Sequence, residues 1–363
     1  MTLSKALSKK KFAIYGLGVT GTSAVKYLRK LKVKNFYVWD DKKEKRIHFK
    51  ENVNKDEFSK KLNTVDYILL SPGININKTK FRKFLLKNKN KIITDLDLFY
   101  LQNPNVRSIV ITGTNGKSTT CKIVEHLLKK NNFHTQLGGN IGKSILNSSS
   151  RKKTLFIIEA SSFQLAYSKF IKPNYAFILN ISKDHLDWHG SMKKYIDSKL
   201  KIFLLQGKKD FAFLKDKKLI KIYKKKKNLA KLKIVSSNSY KKIKEKIHNK
   251  YLRSKVNDEN MSFVYKLSKI LKIKDKDFFQ SFKKFNGLPH RHEIFFKKRK
   301  IRFVNDSKAT SFESSKFALE SNRNILWIVG GLPKLGDKII LKNLKKNIIK
   351  SFIIGRHEKF FVN

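Results

Sequence analysis

The sequence has a single cysteine, Cys121, and no long apolar run, and both shortages exclude classes of protein. One cysteine excludes a disulfide framework and a thiolate metal cluster, and it fits a reducing compartment. No apolar stretch approaches the length of a membrane span, and the opening residues MTLSKALSKKKF lack the apolar core of a secretory signal. We therefore expect a cytoplasmic protein that has no membrane span.

Acidic residues are scarce as well: 27 Asp and Glu stand against 83 Lys and Arg, a formal net charge of +56. Such an excess is typical of proteins that bind nucleic acid or anionic membranes. Here the lysines are spread through every segment instead of flanking one groove-sized motif, so we interpret them as solvated faces. The sequence has only 5 prolines and 16 glycines beside 28 phenylalanines, which indicates a coding sequence rich in A and T. Such a base composition explains the excess of lysine without an anionic binding partner. We expect no specific nucleic-acid partner and only nonspecific polyanion binding at low salt.

The hydrophobic and charged contents, 40% and 30%, favour a folded chain, and 363 residues are enough for two or three domains. Apolar runs of strand length alternate with helical periodicity, which predicts an α/β fold in three domains. The first domain, residues 1–95, opens with a strand, a glycine turn, a helix and a second strand at 36–39. Further strands at 67–70 and 92–93 would complete a parallel sheet.

The second domain, residues 96–287, begins again with a strand, a turn and a helix from Arg107, and strands at 154–158 and 175–179 predict a mostly parallel sheet. Its lysine-dense stretch 207–250 carries no readable motif and is interpreted as a variable outer part. After a linker-like Gly-Leu-Pro, the third domain covers residues 288–363. There EIFF and IRFV predict a hairpin, and ILWIVGG and SFIIG predict parallel strands.

A glycine-rich loop lies between the first strand and the first helix of the second domain. Glycines there let backbone N–H groups approach phosphate oxygens, the lysine reaches the β- and γ-phosphates, and the serine hydroxyl ligates Mg²⁺. The loop departs from G-x-x-x-x-G-K-[ST] because Ile111 occupies the upstream glycine position. An ordinary glycine turn is the alternative, but the flanking strand and helix favour an ATP-binding loop. Its residues are Gly113, Thr114, Asn115, Gly116, Lys117, Ser118 and Thr119.

The first domain carries an unbroken G-x-G-x-x-G from Gly16 to Gly21, and Asp40 ends the next strand at the distance expected for a ribose-binding acid. Taken alone, this pattern predicts NAD. No second feature of a dehydrogenase is present, so a different diphosphate ligand is at least as consistent with it. The motif itself requires only that a pyrophosphate approach the backbone.

Polar residues at strand ends form two further candidate groups. Glu159 follows one predicted strand and His185 lies beyond the next, so both would face the phosphate loop and supply donors beside Mg²⁺. A structural, hydrogen-bonded role is the alternative for His185. In the third domain, Arg291 of GLPHR and Lys308 of NDSKAT could clamp phosphate charge in a transition state, with a polar linker and a turn as the alternative.

Seven motifs occur in an order that resembles the Mur ligase family: GTNGKST, GGNIG (138–142), EASSFQL (159–165), DHLD, YIDSK, GLPHR and NDSKAT. The resemblance runs from residue 12 to the last residue, and three of the motifs are most similar to the members that add D-glutamate. It implies a Rossmann-like domain for a uridine nucleotide, which removes the NAD interpretation, a central P-loop ATPase domain and a Rossmann-like C-terminal domain. We expect that last domain to be incomplete, since the family's further strands are not found before Asn363, and D-glutamate-dependent turnover to be low as a result.

The resemblance also implies a role for each matching residue. The catalytic residues would be Lys117, Glu159, His185, Lys199, Arg291 and Lys308. The ligands of two Mg²⁺ ions would be Ser118, Glu159, His185 and Lys199, the last as a carbamate. The nucleotide side would add Asn260, His290, Arg291 and Asp306 to the glycine-rich loop. The substrate side would comprise Val19, Thr20, Asp40, Asp41 and Gly73 for the uridine nucleotide, Asn140 and Ser161 for the muramoyl group, and Lys308, Thr310 and Lys334 for the amino acid.

The implied activity is an ATP-dependent ligation that adds D-glutamate to UDP-N-acetylmuramoyl-L-alanine through an acyl phosphate, in peptidoglycan precursor synthesis and by a monomer. Another Mur ligase or a folylpolyglutamate synthase is an alternative that would differ in the amino-acid pocket. An inactive binding remnant and a basic ATPase stimulated by nucleic acid are alternatives of another class. No recognition module in the sequence supports the ATPase.

Overall fold

A computed structural model of the protein describes residues 3–148, 153–255, 257–333 and 337–362. It shows a mixed α/β fold whose sheets are mostly parallel, which confirms the predicted class. Across these residues, no helix has both the length and the apolar character that crossing a bilayer requires.

The described strands are β1 (Phe12–Tyr15), β2 (Phe36–Trp39), β3 (Tyr67–Leu70), β4 (Ile92–Ile93), β5 (Arg107–Thr112), β6 (Thr135–Gly139), β7 (Leu155–Glu159), β8 (Tyr175–Ile178), β9 (Phe211–Leu214), β10 (Lys231–Ile234), β11 (Glu293–Lys298), β12 (Ile301–Asn305), β13 (Ile325–Gly330) and β14 (Ile348–Ile354). The described α-helices are α1 (Leu3–Ser8), α2 (Val19–Lys30), α3 (Lys43–Arg46), α4 (Lys55–Thr64), α5 (Arg82–Lys87), α6 (Asp95–Gln102), α7 (Lys117–Lys130), α8 (Ser162–Tyr167), α9 (Leu186–His189), α10 (Met192–Leu200), α11 (Lys217–Lys225), α12 (Ser237–Lys241), α13 (Asn257–Ile270), α14 (Asp275–Ser281), α15 (Phe312–Ser321) and α16 (Glu358–Val362).

Strands β1 to β4 form a parallel sheet in the order β2-β1-β3-β4. Sequences such as FAIY and YILL are continuous apolar runs because both faces of a parallel sheet are covered. The turn after β1 is tight. A Cβ on Gly21, in the first turn of α2, would lie 1.8 Å from the carbonyl oxygen of Gly16, so only glycine fits at this position. The predicted strands at 36–39, 67–70 and 92–93 are confirmed.

Six parallel strands in the order β10-β9-β8-β5-β7-β6 form the second sheet. The strands predicted at 154–158 and 175–179 are present as β7 and β8, with bounds that differ by one residue. The lysine-dense stretch 207–250 supplies β9, β10, α11 and α12, which no sequence pattern predicted. Strand β10 lies at one end of the sheet, and the ammonium groups of its Lys231 and Lys233 lie 5.9 and 5.4 Å from the ring centre of Phe211 on β9.

Helix α6 follows the first sheet and is anchored by buried polar groups. Thr94 and Asp97 form a reciprocal capping box at its start. The second carboxylate oxygen of Asp97 accepts hydrogen bonds from the backbone N–H groups of Lys169 and Phe170, at 2.8 and 2.7 Å. The segment after α8 is thereby fixed to the chain that leaves the first sheet.

The chain divides into two compact units. The first comprises Met1–His248 and Asp258–Lys283 and contains both sheets described above. The second comprises Asn249–Asn257 and Lys284–Asn363. It contains the predicted hairpin, as antiparallel β11 and β12, and the predicted parallel pair, as β13 and β14. The division into three domains at residues 95 and 287 stays a prediction.

Candidate active site

The loop between β5 and α7 has the shape of a phosphate-binding loop. Helix α7 begins directly after Gly116, whose φ is +80°. A Cβ on Gly116 would lie 2.3 Å from Oδ1 of Asn260 on α13, so a side chain there would meet both backbone strain and a clash. Asn260 also accepts a hydrogen bond from Oγ1 of Thr120 at 3.1 Å. Asn260, expected on the nucleotide side, therefore lies directly against the loop.

Lys117 curls back over this loop. Its Nζ donates to the carbonyl oxygens of Gly113 and Thr114, at 2.9 and 2.7 Å. Ser118 is buried in the first turn of α7, where the N–H groups and the positive end of a 14-residue helix favour an anion. The loop backbone, the lysine and the serine thus meet at the start of one helix, as phosphate binding requires.

Lys199, on α10, is the second lysine at the loop. It is 1% exposed, and its Nζ donates to the Gly113 carbonyl at 2.8 Å and lies 3.3 Å from Oγ1 of Thr112. The same nitrogen lies 4.7 Å from the ring centre of Tyr195. Burial, and then the positive charge of Lys117, lower the pKa of Lys199 well below its ordinary value. The structure therefore favours a neutral amine at this position.

Glu159 ends β7, next to the strand that leads into the loop. It pairs with Ile111 of β5 and is 2% exposed. Its Oε1 accepts a hydrogen bond from Nδ2 of Asn140 at 2.8 Å, whereas the buried Oε2 has no hydrogen-bond partner in the described part of the chain. A buried carboxylate oxygen that lacks a donor is an available ligand for a cation.

Ser161 lies two residues beyond Glu159 and caps α8. Its hydroxyl accepts a hydrogen bond from the backbone N–H of Gln164, and the Gln164 side chain accepts one from the Ser161 N–H in return. Nε2 of Gln164 donates to both carboxylate oxygens of Asp95, at 3.0 and 3.2 Å. Asn140 and Ser161, both expected at the muramoyl group, are therefore neighbours of Glu159, the first by a hydrogen bond and the second along the chain.

His185 lies beyond β8 and precedes α9 with a φ of +53°. Its Nε2 is 3.3 Å from Oδ2 of Asp184, and its ring centre is 4.6 Å from that of Phe163 on α8. The segment that follows β8 and the helix that follows β7 therefore meet at His185, at the carboxyl ends of the two strands that flank β5.

The residues predicted for the uridine nucleotide follow the carboxyl ends of the first three strands. They are Val19, Thr20, Asp40, Asp41 and Gly73. Asp40 accepts hydrogen bonds from the backbone N–H groups of Leu17 and Lys42, at 2.6 and 3.0 Å. Asp41 accepts a hydrogen bond from the Tyr15 hydroxyl at 2.8 Å. Asp40 therefore fixes the glycine turn, and Asp41 is tied to the end of β1.

The second unit brings the GLPHR and NDSKAT motifs together. The backbone N–H of Lys308 donates to the carbonyl oxygen of His290 at 3.1 Å. Nδ2 of Asn305 lies 2.8 Å from Nδ1 of the same histidine. Oδ1 of Asp306 accepts a hydrogen bond from the backbone N–H of His292 at 2.9 Å, and burial raises the pKa of Asp306. The two motifs, 15 residues apart at His290 and Asn305, form one turn region.

The remaining sequence-predicted residues of this unit are less enclosed. Arg291 is half-buried between His290 and the hairpin, and Thr310 is exposed just before α15. Lys334, expected beside the amino acid, lies outside the described residues.

Two residues without an assigned role in the sequence analysis support the phosphate loop. Oδ1 of Asn180, beyond β8, accepts a hydrogen bond from the backbone N–H of Asn115 at 2.8 Å, and its Nδ2 donates to Glu259 on α13 at 2.7 Å. The Tyr195 hydroxyl lies 2.9 Å from Oγ1 of Thr114. Asn180 lies two residues beyond β8, which is adjacent to β5, so the strand order, once known, indicates it.

Two family profiles match the chain. The profile described as Mur ligase middle domain matches residues 111–278, and the one described as Mur ligase MurD-like, N-terminal domain matches residues 10–93. The UDP-N-acetylmuramoylalanine--D-glutamate ligase of Rickettsia prowazekii (strain Madrid E) is 32% identical, over 99% of this chain and 85% of the relative. The chain belongs to the Mur ligase family. A relative of the same name from Fusobacterium nucleatum is 34% identical, over 95% of this chain and 82% of the relative.

Solved Mur ligases share the fold. UDP-N-acetylmuramate-alanine ligase MurC from Thermotoga maritima aligns with a TM-score of 0.52 over 97% of each chain, at 17% identity. The MurF ligase from Thermotoga maritima in complex with ADP aligns with a TM-score of 0.53 over 95% of this chain and 89% of that chain, at 13% identity. As a Mur ligase, this chain is an ATP-dependent ligase that forms amide bonds.

Proposed function

We propose that this Mur ligase adds D-glutamate to UDP-N-acetylmuramoyl-L-alanine. The support for the two substrates is the name shared by relatives that match more than 80% of their own length at 32% and 34% identity. The observation that carries the chemistry is the convergence of Lys117 and Lys199 on the Gly113 carbonyl. A cytoplasmic location and a monomeric state stay predictions.

The phosphate loop and its supports would bind ATP. The backbone of residues 113–119 and the ammonium of Lys117 would surround the β- and γ-phosphates, because this loop leads into a helix start. Asn260, on α13, and Asn180, beyond β8, brace the loop. The roles of His290, Arg291 and Asp306 at the nucleotide rest on motif resemblance, and so do those of Lys308 and Thr310 at the amino acid.

We also propose that two Mg²⁺ ions act beside the phosphates. Oε2 of Glu159 is buried without a donor, which fits a cation ligand. In the described ranges, no three His, Cys, Asp or Glu side chains form a metal-binding group by themselves. The Ser118 hydroxyl and a carbamate on Lys199 would supply further oxygen donors, and a ring nitrogen of His185 would add to the set. When bound, Mg²⁺ would neutralise phosphate charge.

The reaction would proceed in two stages. A carboxylate does not condense with an amine in neutral water, so phosphoryl transfer first converts the alanine carboxylate to an acyl phosphate, with Lys117 neutralising the charge that develops. The amine of D-glutamate then attacks the carbonyl carbon, and phosphate leaves. Asn140 and Ser161 would hold the muramoyl carboxylate end near Glu159, since both are fixed there by hydrogen bonds.

Phosphate release with each substrate omitted in turn tests this proposal. We expect release only when ATP, UDP-N-acetylmuramoyl-L-alanine and D-glutamate are all present, and little release with L-glutamate in place of D-glutamate. Another amino acid that replaces D-glutamate with equal turnover would indicate a different Mur ligase. Release that is stimulated by polynucleotide and independent of both co-substrates would contradict the proposal.

A further inference from the structure

The hairpin of the second unit exposes a group of large apolar side chains. Strands β11 and β12 read EIFFKK and IRFVN. Five of their large apolar residues are well exposed: Ile294, Phe295, Phe296, Ile301 and Phe303, at 42, 61, 52, 62 and 43%. Apolar residues that are exposed singly need no explanation, but a contiguous group of this kind marks a contact surface.

The strand register gathers the rings on one face. Phe296 is opposite Phe303, and Lys298 is opposite Ile301, so alternation along the strands puts these four on the same side of the ladder. The Phe296 and Phe303 ring centres are 5.4 Å apart, and that of Phe295, at the irregularity in β11, is 6.2 Å from Phe303. The aromatic rings therefore form one cluster.

Basic residues surround that cluster. The hairpin carries five positive side chains on its two faces and at its tip and, between Glu293 and Asp306, no acidic residue. They are Lys297, Lys298, Arg299, Lys300 and Arg302. Apolar side chains beside Lys and Arg provide the two attractions, insertion and charge, that together give peripheral binding to an anionic lipid surface.

We propose that the β11–β12 hairpin docks on anionic lipid headgroups and inserts its phenylalanine cluster at the membrane interface. Charge complementarity selects this occupant, because five like charges on each hairpin would repel a second copy of the chain. Two isoleucines beside the rings favour lipid over single-stranded nucleic acid, since an aliphatic side chain gains by burial in an apolar medium and has no flat face for a base.

Flotation of the full chain with vesicles tests the proposal at physiological ionic strength. We expect binding to phosphatidylcholine vesicles that contain phosphatidylglycerol and little binding to phosphatidylcholine alone. The variant Phe295→Ser/Phe296→Ser should lower binding by at least about tenfold. The variant Lys297→Gln/Lys298→Gln/Lys300→Gln should lower it on the order of 100-fold. Phosphate release by these variants, assayed without vesicles, should match that of the unmodified chain.

Helix α11 offers a matched control, because it is as basic as the hairpin but its apolar Leu219 and Tyr223 are buried. The variant Lys221→Gln/Lys224→Gln/Lys225→Gln removes the same three charges and should change vesicle binding by less than about threefold. An equal loss in this control would show that the lysine-rich surface binds as a whole, and the proposal would fall. Full binding by the phenylalanine variant would also overturn it. So would the absence of vesicle binding together with tight binding of a single-stranded oligonucleotide that both hairpin variants lose.

Discussion

At the carbonyl oxygen of Gly113 two lysines meet, and burial makes them different. Lys117 stands at a helix start, where a cation can follow phosphate charge, whereas Lys199 is enclosed and its pKa is lowered by burial. One side chain is therefore suited to neutralise a transferring phosphoryl group and the other to react as an amine. Substitution of each lysine in turn separates these roles.

Lys117→Ala should lower phosphate release by several orders of magnitude, because no other part of the loop supplies a mobile positive charge to the γ-phosphate. Thermal unfolding should stay close to that of the unmodified protein, since Nζ of Lys117 donates to carbonyl oxygens of the loop itself, at Gly113 and Thr114. Lys130→Ala, at the exposed far end of the same helix, is the control and should keep normal turnover. Near-normal turnover in Lys117→Ala would remove the phosphate-loop assignment.

Lys199→Ala should be inactive and should recover partly when a small carboxylate such as formate refills the ligand position. The reason is that CO₂ adds to a neutral amine, and burial favours that form here. Lys117→Ala given the same carboxylate should not recover, which controls for a general salt effect. Labelling with ¹³CO₂ should mark Lys199, and an unmodified amine in the active, metal-loaded enzyme would exclude the carbamate.

Asp95 predicts a pH-dependent stability. Burial raises its pKa from 3.8 to about 6, so the folded state binds this proton more tightly than the unfolded state, and stability falls as pH rises through that window. Asp95→Asn has no such charge, and one oxygen can still accept from Gln164. The variant should be more stable by up to roughly 3 kcal/mol at pH 7.5 and nearly equal at pH 4, as measured by urea unfolding. A difference that does not change with pH would contradict the assignment.

At the scale of elements, the close approach of β6 to β7 determines where Glu159 lies. A Cβ on Gly139, whose φ is +100°, would lie 2.3 Å from the carbonyl oxygen of Glu159. Gly142 has a φ of +65° with no atom within 4 Å of such a Cβ. The two glycines share backbone strain but differ in crowding, which makes them a matched pair.

Gly139→Ala should therefore lower the free energy of unfolding by about 1–3 kcal/mol more than Gly142→Ala, because only the former forces two strands apart. Phosphate release by Gly139→Ala should fall by more than its lower stability explains, since the displaced strand carries Glu159, which binds Asn140. Urea unfolding and phosphate release measure the two effects. Equal losses in the two variants would show that strand spacing does not control the site.

Sequence patterns predicted the strands whose residues form continuous apolar runs. The bounds of β2, β3 and β4 match the expected residues because parallel strands with covered faces leave such runs. Strands β9 and β10 were missed because both lie in a lysine-dense stretch, and in KLKI lysines alternate with aliphatic residues as on a solvated surface. They are strands because β9 pairs with β8 and β10 pairs with β9. Such pairing depends on distant parts of the chain and is not encoded in the local sequence.

The candidate site divides in the same way. The phosphate loop was found because glycine, lysine and serine have a fixed local order there. Lys199 resembles any other lysine of this chain until α10 buries it, so only the motif resemblance selected it. Asn180 and Tyr195 support the loop across 65 and 81 residues of sequence, and no spacing rule predicts such contacts.

At the scale of the whole molecule, a formal net charge of +56 must oppose compaction. Salt shortens the range of this repulsion from about 30 Å at 0.01 M to about 8 Å at 0.15 M. The midpoint of thermal unfolding should therefore rise by several degrees over that interval, and sodium and potassium chloride should act alike if screening is the cause. A midpoint that is constant or falls with salt would show that local ion pairs outweigh the net charge.

Two of the many lysines lie on β10, the strand at one edge of the six-stranded sheet. An end strand presents unpaired N–H and C=O groups, and another polypeptide can add to them and start aggregation. Lys231 and Lys233 lie along this strand, with their ammonium groups near the Phe211 ring of the neighbouring strand. An incoming copy would bring the same two charges into register with them. Charge repulsion at β10 therefore opposes the addition of a second chain to the six-stranded sheet. This protection against aggregation does not involve the active site.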